Sequence, residues 1–162
     1  MINKNYADFA WEQTTQLLAI DSPTGYTDYA ALWLKSSFEM LGFPASITTK
    51  GGVLVDLGGE NKNDALLLAA HADTLGAMVA EVKGNGNLRL TPLGGMNANN
   101  AEAENVRIYT RGGKVLEGTF QLCNASIHVN GDYNSAKRGF DNMEVVLDEA
   151  VKSAADTKAL GL

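Results

Sequence analysis

His71 and Asp73 are the residues of this 162-residue sequence whose types and spacing could do chemistry. They close the apolar run "ALLLAAH" within "LLLAAHADTLGAMV", Leu66 to Val79. A buried strand has no structural need for either side chain at its end. Residues i and i+2 of a strand share a face, so the two would project together. In open α/β sheets ligands bind beyond the carboxyl ends of the strands, which is where this pair would stand. A neutral imidazole binds a divalent metal through one ring nitrogen. A carboxylate that accepts from the other nitrogen fixes the tautomer and raises ligand basicity. Gly76 would let the backbone turn close to such a site. The same triplet also suits a buried histidine satisfied by a neighbouring aspartate, with no metal involved. The residues themselves leave both readings standing.

Other chemistry-bearing residues carry less. Cys123 is the single cysteine, so no disulfide can form within the chain and a reducing compartment is expected. Among the strand-like residues of "TFQLCNAS" it reads as a small packed side chain rather than a nucleophile. His128, in "ASIHVNGD", reads as structural or interfacial. Asp56, Glu102, Glu104, Asp132 and Asp141 read as solvated charges, since no spacing groups them. "GNGN" and "RGGK" are too short and wrongly placed for phosphate loops and read as hairpin turns.

The elements that would position the pair follow from periodicity. Tyr6, Phe9, Ala10, Leu17 and Ile20 predict a helix over 6–20, broken by "DSPTGYT". A second helix is expected over 28–41, with Thr27 as N-cap, an apolar stripe of Trp33, Leu34, Phe38 and Leu41, and Gly42 as the left-handed stop. "ASITTK" and "VLVDL" flank Gly51-Gly52 as a hairpin. "ALLLAAH" is continuously apolar, which predicts a strand buried on both faces of an α/β sheet. Residues 1–75 thus read as the first part of a layered α/β domain.

Beyond Gly76 the texture changes. "MVAEV" and "LRLTPL" flank "KGNGN"; "NVRIYT" and "KVLEGTFQ" flank "RGG"; "MEVVLDE" adds a further strand. These predict a small β-rich module over 76–162, barrel-like or a sandwich. Ser153 and Asp156 form a capping box for a short helix that Gly161 closes. "GGMNANNAEAEN" is the most loop-like stretch.

The chain is 45% hydrophobic and 20% charged, with 13 Lys+Arg against 19 Asp+Glu and a net charge of −6. That acidity argues against a nucleic-acid partner. No apolar run reaches the length of a membrane span and no signal-peptide core is present, so no membrane partner and a cytoplasmic location are expected.

"ALLLAAHADTLGAMV" resembles the first metal-site strand of the tetrahedral metallo-aminopeptidases, the glutamyl and deblocking aminopeptidase-like zinc exopeptidases. "LLAIDSPTGYTDYAALWLKSSFEMLGF" looks like their N-terminal two-helix segment and "TTKGGVLVDLGG" like the strand pair that follows. "NVRIYTRGGKVLEGTFQ" and "HVNGDYNSAKRGFDNMEVVLDEAVKSAADTKALGL" look like the inserted β-rich dimerisation domain. Thr27 and Asp28 stand where relatives often carry glutamates, and Gly52 where asparagine is common.

The resemblance implies the N-terminal part of a zinc-exopeptidase-like α/β sheet domain followed by that inserted domain. It implies His71 as a metal ligand and Asp73 as the carboxylate that orients it. It further implies two divalent metal ions, zinc or cobalt, peptide substrates, and a dimer-based homo-oligomer. The family's remaining ligands and its general base lie beyond the inserted domain, past Leu162. One histidine cannot hold a catalytic metal, which normally takes three protein ligands, so the 162-residue chain alone is expected to lack activity and to lack metal. It is also expected to hide the uncovered strand 65–71 by oligomerisation or strand exchange. The alternative is a non-catalytic self-association or binding module in which the His71–Asp73 pair is a relic.

Overall fold

The computed structural model describes residues 4–61 and 63–162. The chain divides into two compact units, one ending at Leu75 and the other spanning Gly76–Leu162.

The N-terminal unit holds α1 (Lys4–Leu18), α2 (Asp28–Met40), and the antiparallel pair β1 (Ala45–Ile47) and β2 (Val53–Val55). Helix α2 ends as its sequence dictates. Gly42 takes a φ of +88°, the Gly42 N–H donates to the Glu39 carbonyl, and the Phe43 N–H reaches back to Phe38. This is the double bond of a Schellman ending, which a residue with a Cβ would strain. At the other end Thr27 occupies the N-cap position, but its side chain makes no capping bond, at a ψ of 1°. A cap needs extended backbone to aim its oxygen at the first turn.

Helix α1 forms as expected, with Tyr6 and Phe9 of its apolar stripe exposed and Leu17 half-buried. One expectation fails in this unit. "ALLLAAH" forms no strand, and Leu66, Leu67 and Leu68 are 86%, 77% and 74% exposed. A strand exists only when neighbours accept and donate its ladder bonds. Near this segment the described residues offer one parallel bridge, Pro23 with Thr74.

The second unit is a five-stranded antiparallel sheet in the order β3-β4-β7-β6-β5. Its strands are β3 (Gly76–Val82), β4 (Leu88–Leu93), β5 (Asn105–Tyr109), β6 (Val115–Leu122) and β7 (Met143–Leu147). Strands β3 and β5 stand at the two ends of that order, so the sheet does not close into a barrel, and among its described residues this unit holds no second sheet with which to form a sandwich. Both hairpins turn where "KGNGN" and "RGG" place them. A 3-10 turn over Ala98–Ala101 interrupts the Asn-rich loop.

Strand β6 shows why the sheet has a core. Its residues alternate exactly between faces through Leu116, Gly118, Phe120 and Leu122. These pack with Leu88, Leu90, Ile108, Met143, Val145 and Leu147. Phe120 is 1% exposed and meets Phe140 with ring centroids 5.7 Å apart. A Cβ at Gly118 would lie 2.5 Å from the Val146 carbonyl oxygen, so only glycine fits between β6 and β7. Helix α3 (Ala154–Ala159) is capped as its sequence predicts. The Ser153 hydroxyl accepts from the Asp156 N–H, and the Lys152 N–H donates to the Asp156 carboxylate. The Lys152 N–H, and after it the Ser153 hydroxyl donating to Asp156 Oδ2 at 2.9 Å, hold the Asp156 carboxyl below its ordinary range.

One buried carboxylate escapes the sequence reading. Glu144 on β7 is 4% exposed, and its oxygens accept from Lys83 Nζ and from Asn87 Nδ2 at 2.7 Å. Burial of a charge is tolerable when it is paired and hydrogen-bonded in this way. The bond to Glu144 raises Lys83 above its ordinary pKa of 10.5, and partial burial opposes it. A raised folded-state pKa gives stability that is complete below the unfolded value and is lost as pH rises through the folded one. The stability advantage of the natural chain over Lys83→Met is therefore expected to hold up to about pH 10.5 and to shrink above it. Urea unfolding midpoints of the two proteins across that range measure it.

Cys123 follows Leu122 at the end of β6 and is exposed rather than packed. Alternation turns it outward, where its Sγ lies 3.6 Å from Lys83 Nζ. Partial desolvation of its sulfur, then the Glu144 charge, pushes the thiol up, which suits an unreactive side chain. Glu102 is likewise no solvated charge, since it accepts from Arg138 Nε at 3.0 Å. Arg138 stacks on Tyr133, 4.7 Å from the ring centroid. It also donates to the carbonyls of Tyr133 and Ala136, pinning the loop between β6 and β7.

Candidate functional site

The two residues singled out by chemistry are in contact. His71 Nδ1 lies 3.0 Å from Asp73 Oδ1 and 3.1 Å from the Asp73 carbonyl oxygen. A carbonyl oxygen can only accept, and an ionised carboxylate can only accept. Nδ1 therefore carries the proton, and the Nε2 lone pair points away from the aspartate. The His71 side chain is 85% exposed, so Nε2 opens to solvent. This is the tautomer and orientation a metal-ligating imidazole needs.

Two residues that the sequence reading passed over complete the arrangement. The Thr24 hydroxyl donates to Asp73 Oδ2 at 2.8 Å, and the Ser22 hydroxyl donates to the Ala72 carbonyl at 3.1 Å. The Thr74 N–H donates to the Ser22 carbonyl at 2.8 Å, continuing the bridge between Pro23 and Thr74. Ser22 is buried and polar, with its hydroxyl satisfied. The segment that broke the first helix thus runs parallel to "HADT" and ties it down. The bond from Thr24 is the largest influence holding the Asp73 carboxyl below its ordinary range, partial desolvation opposes it, and His71 adds to it. The signal that could have found these residues is the "SPTG" turn itself. Gly25 has a φ of +86° and the Tyr26 N–H donates to the Pro23 carbonyl. That is a type II turn, with glycine at its third position and Thr24 fixed at its second.

The donor set fits one metal-ligand position. A neutral imidazole, oriented by a carboxylate and open at Nε2, is a ligand for zinc or cobalt. No group of three or more His, Cys, Asp or Glu side chains able to hold an ion occurs among the described residues. His128 is exposed in the turn after β6. The described residues also contain no helix long and apolar enough to cross a membrane.

Comparison with known proteins bears on this geometry. The M42 glutamyl aminopeptidase family profile matches residues 51–162. The chain is 37% identical over 151 residues to the putative aminopeptidase YhfE of Bacillus subtilis, covering 93% of this chain and 44% of that protein. It is 29% identical over 107 residues to the glutamyl aminopeptidase of Lactococcus lactis, covering 65% of this chain and 30% of that one. In fold it matches a TET aminopeptidase from a marine sediment thaumarchaeon with a TM-score of 0.79 at 21% identity, over 97% of this chain and 42% of that one. An aminopeptidase from Desulfurococcus kamchatkensis matches with a TM-score of 0.77 at 20% identity, over 93% and 40%. The chain therefore spans less than half the length of the relatives it matches.

Proposed function

Because this chain belongs to the M42 glutamyl aminopeptidase family, we propose that it supplies the first corner of a metal-dependent aminopeptidase site. The observation that carries the reading is the His71 imidazole, bound through Nδ1 to Asp73 and exposed at Nε2. His71 is the ligand to one of two divalent ions, zinc or cobalt, and Asp73 holds its ring and tautomer. When bound, the metal pair supplies Lewis acidity for hydrolysis of the N-terminal peptide bond of a peptide substrate. The chain's own contribution is to present one nitrogen lone pair in a fixed direction. The other ligands and the general base belong to the part of the family's length that this chain does not span.

The exposed run of Leu66 to Leu68 fits that assignment. In a protein of full family length it is a central strand, and its neighbours there bury both faces. The Gly76–Leu162 unit is the self-associating part. Met78 on the end strand β3 and Tyr109 on the end strand β5 are exposed, and an open strand edge is a pairing surface. One of the structural neighbours is described as a dodecamer.

The test compares two proteins. The 162-residue chain, supplied with zinc or cobalt, is expected to hydrolyse no aminoacyl p-nitroanilide. A polypeptide extended from the source DNA to the family's length is expected to hydrolyse it, to lose activity to a chelator, and to regain it with metal. Chelator-resistant hydrolysis, or an extension lacking further Asp, Glu and His ligands, defeats the reading. Light scattering on both proteins tests self-association, and a strictly monomeric extended protein defeats that part.

A further inference from the structure

We propose that Thr24 is a positioning residue, whose hydroxyl holds the Asp73 carboxylate in the rotation that keeps the His71 proton on Nδ1 and the Nε2 lone pair outward. The inference rests on the reading of His71 as a metal ligand for its functional meaning, but its geometry is independent of any metal.

A carboxylate on an exposed chain end turns freely about its Cβ–Cγ bond. Asp73 is held at both oxygens, Oδ1 by His71 Nδ1 at 3.0 Å and Oδ2 by the Thr24 hydroxyl at 2.8 Å. The hydroxyl has one proton and gives it to Asp73, so the carboxylate cannot turn without breaking that bond. Thr24 is itself fixed from three directions. It is the second residue of the type II turn closed by Tyr26 on Pro23. Its neighbour Pro23 bridges Thr74. Ser22, next in the chain, binds the Ala72 carbonyl through its hydroxyl and the Thr74 N–H through its carbonyl. The turn therefore aligns Thr24 with Asp73 through bonds from Ser22 to the residues on both sides of Asp73, one from its hydroxyl and one to its carbonyl.

The chemical consequence follows from the histidine. Without Thr24 the Asp73 carboxylate samples rotations in which Oδ1 leaves Nδ1. The remaining acceptor, the Asp73 carbonyl at 3.1 Å, then competes with solvent. An exposed imidazole released in this way reverts towards the free tautomer mixture, and a share of the molecules carries its proton on Nε2, the nitrogen a metal would need.

The test is a long-range proton–nitrogen NMR spectrum of the metal-free 162-residue chain with labelled histidine, at about pH 8.5 where a free imidazole is neutral. His128, exposed and distant in sequence, serves as internal reference. In the natural chain His71 is expected to show the Nδ1–H tautomer. Thr24→Val, which keeps the shape and removes the hydroxyl, is expected to lower the ratio of Nδ1–H to Nε2–H by about 3–10-fold, the factor that one net hydrogen bond represents. Thr24→Ser, which keeps the hydroxyl, is expected to restore it. Thr24→Ala replaces the valine variant if valine prevents folding. A ratio unchanged in both hydroxyl-free variants, or lowered equally in Thr24→Ser, overturns the proposal. Because no metal is present, this outcome is separate from the hydrolysis test. Absence of metal-dependent hydrolysis would remove the catalytic meaning and leave the tautomer result standing.

Discussion

His71→Ala is expected to abolish chelator-sensitive hydrolysis in a protein of full family length, and Asp73→Ala to weaken metal binding there by about 10–100-fold. The two differ in kind. Alanine at position 71 removes the nitrogen that would bind the ion, and the described residues hold no group of three or more His, Cys, Asp or Glu able to bind one elsewhere. Alanine at position 73 leaves that nitrogen in place but removes one acceptor from Nδ1, which keeps only the carbonyl of residue 73, 3.1 Å away. The histidine then binds metal with a less basic and less ordered ring. Metal content after dialysis, followed by calorimetric titration with zinc, separates the two. Full metal affinity in His71→Ala would show that the ligand is elsewhere. Neither change is expected to alter the stability of the Gly76–Leu162 unit, since neither residue belongs to it.

Phe120→Ala is expected to destabilise that second unit by about 3–5 kcal/mol. Phe120 is among the largest fully buried side chains, toward the C-terminal end of β6, a strand with β5 on one side and β7 on the other. Its removal loses the transfer of a whole ring and leaves a cavity against Phe140 that the sheet backbone cannot collapse to fill. A domain of ordinary size has about 5–15 kcal/mol in all, so this one change removes a large share. Urea unfolding followed by circular dichroism is expected to show a midpoint lower by about 2 M, for a slope near 2 kcal/mol/M. A shift below about 0.5 M would mean that the core is not organised around this ring.

Local chemistry made much of this molecule legible. The hairpins over β1–β2, β3–β4 and β5–β6 were readable because Gly and Asn punctuation acts within a few residues of itself. The end of α2 was readable because Gly42 alone could take its conformation, and the cap of α3 because Ser153 and Asp156 stand three apart. The resemblance carried by "AAHADTLG" and by the segments around it gave the family; the strand expected to set His71 and Asp73 on one face does not form, and the pair meets outside any strand.

What was not legible depended on distant partners. Leu66 to Leu68 have the composition of a buried strand. Composition states a demand for neighbours, and whether the demand is met is decided by other segments. Glu144 lies in a strand whose sequence shows nothing of its burial. Lys83 and Asn87 make it tolerable, and both sit across the sheet, some sixty residues earlier in the chain. Cys123 looked packed because its neighbours are apolar, yet the sheet's alternation faced it outward.

The sequence by itself determined which residues turn, cap and alternate, and which two could share a metal-ligand role, because those properties act over short stretches of backbone. The tertiary structure decided that Thr24, 49 residues before Asp73, is the group that holds it. It also decided that the segment leading to His71 forms no strand and stands exposed among the described residues. One fact is a contact made and the other a contact missing between segments far apart in the chain, and only the folded backbone decides which segments meet.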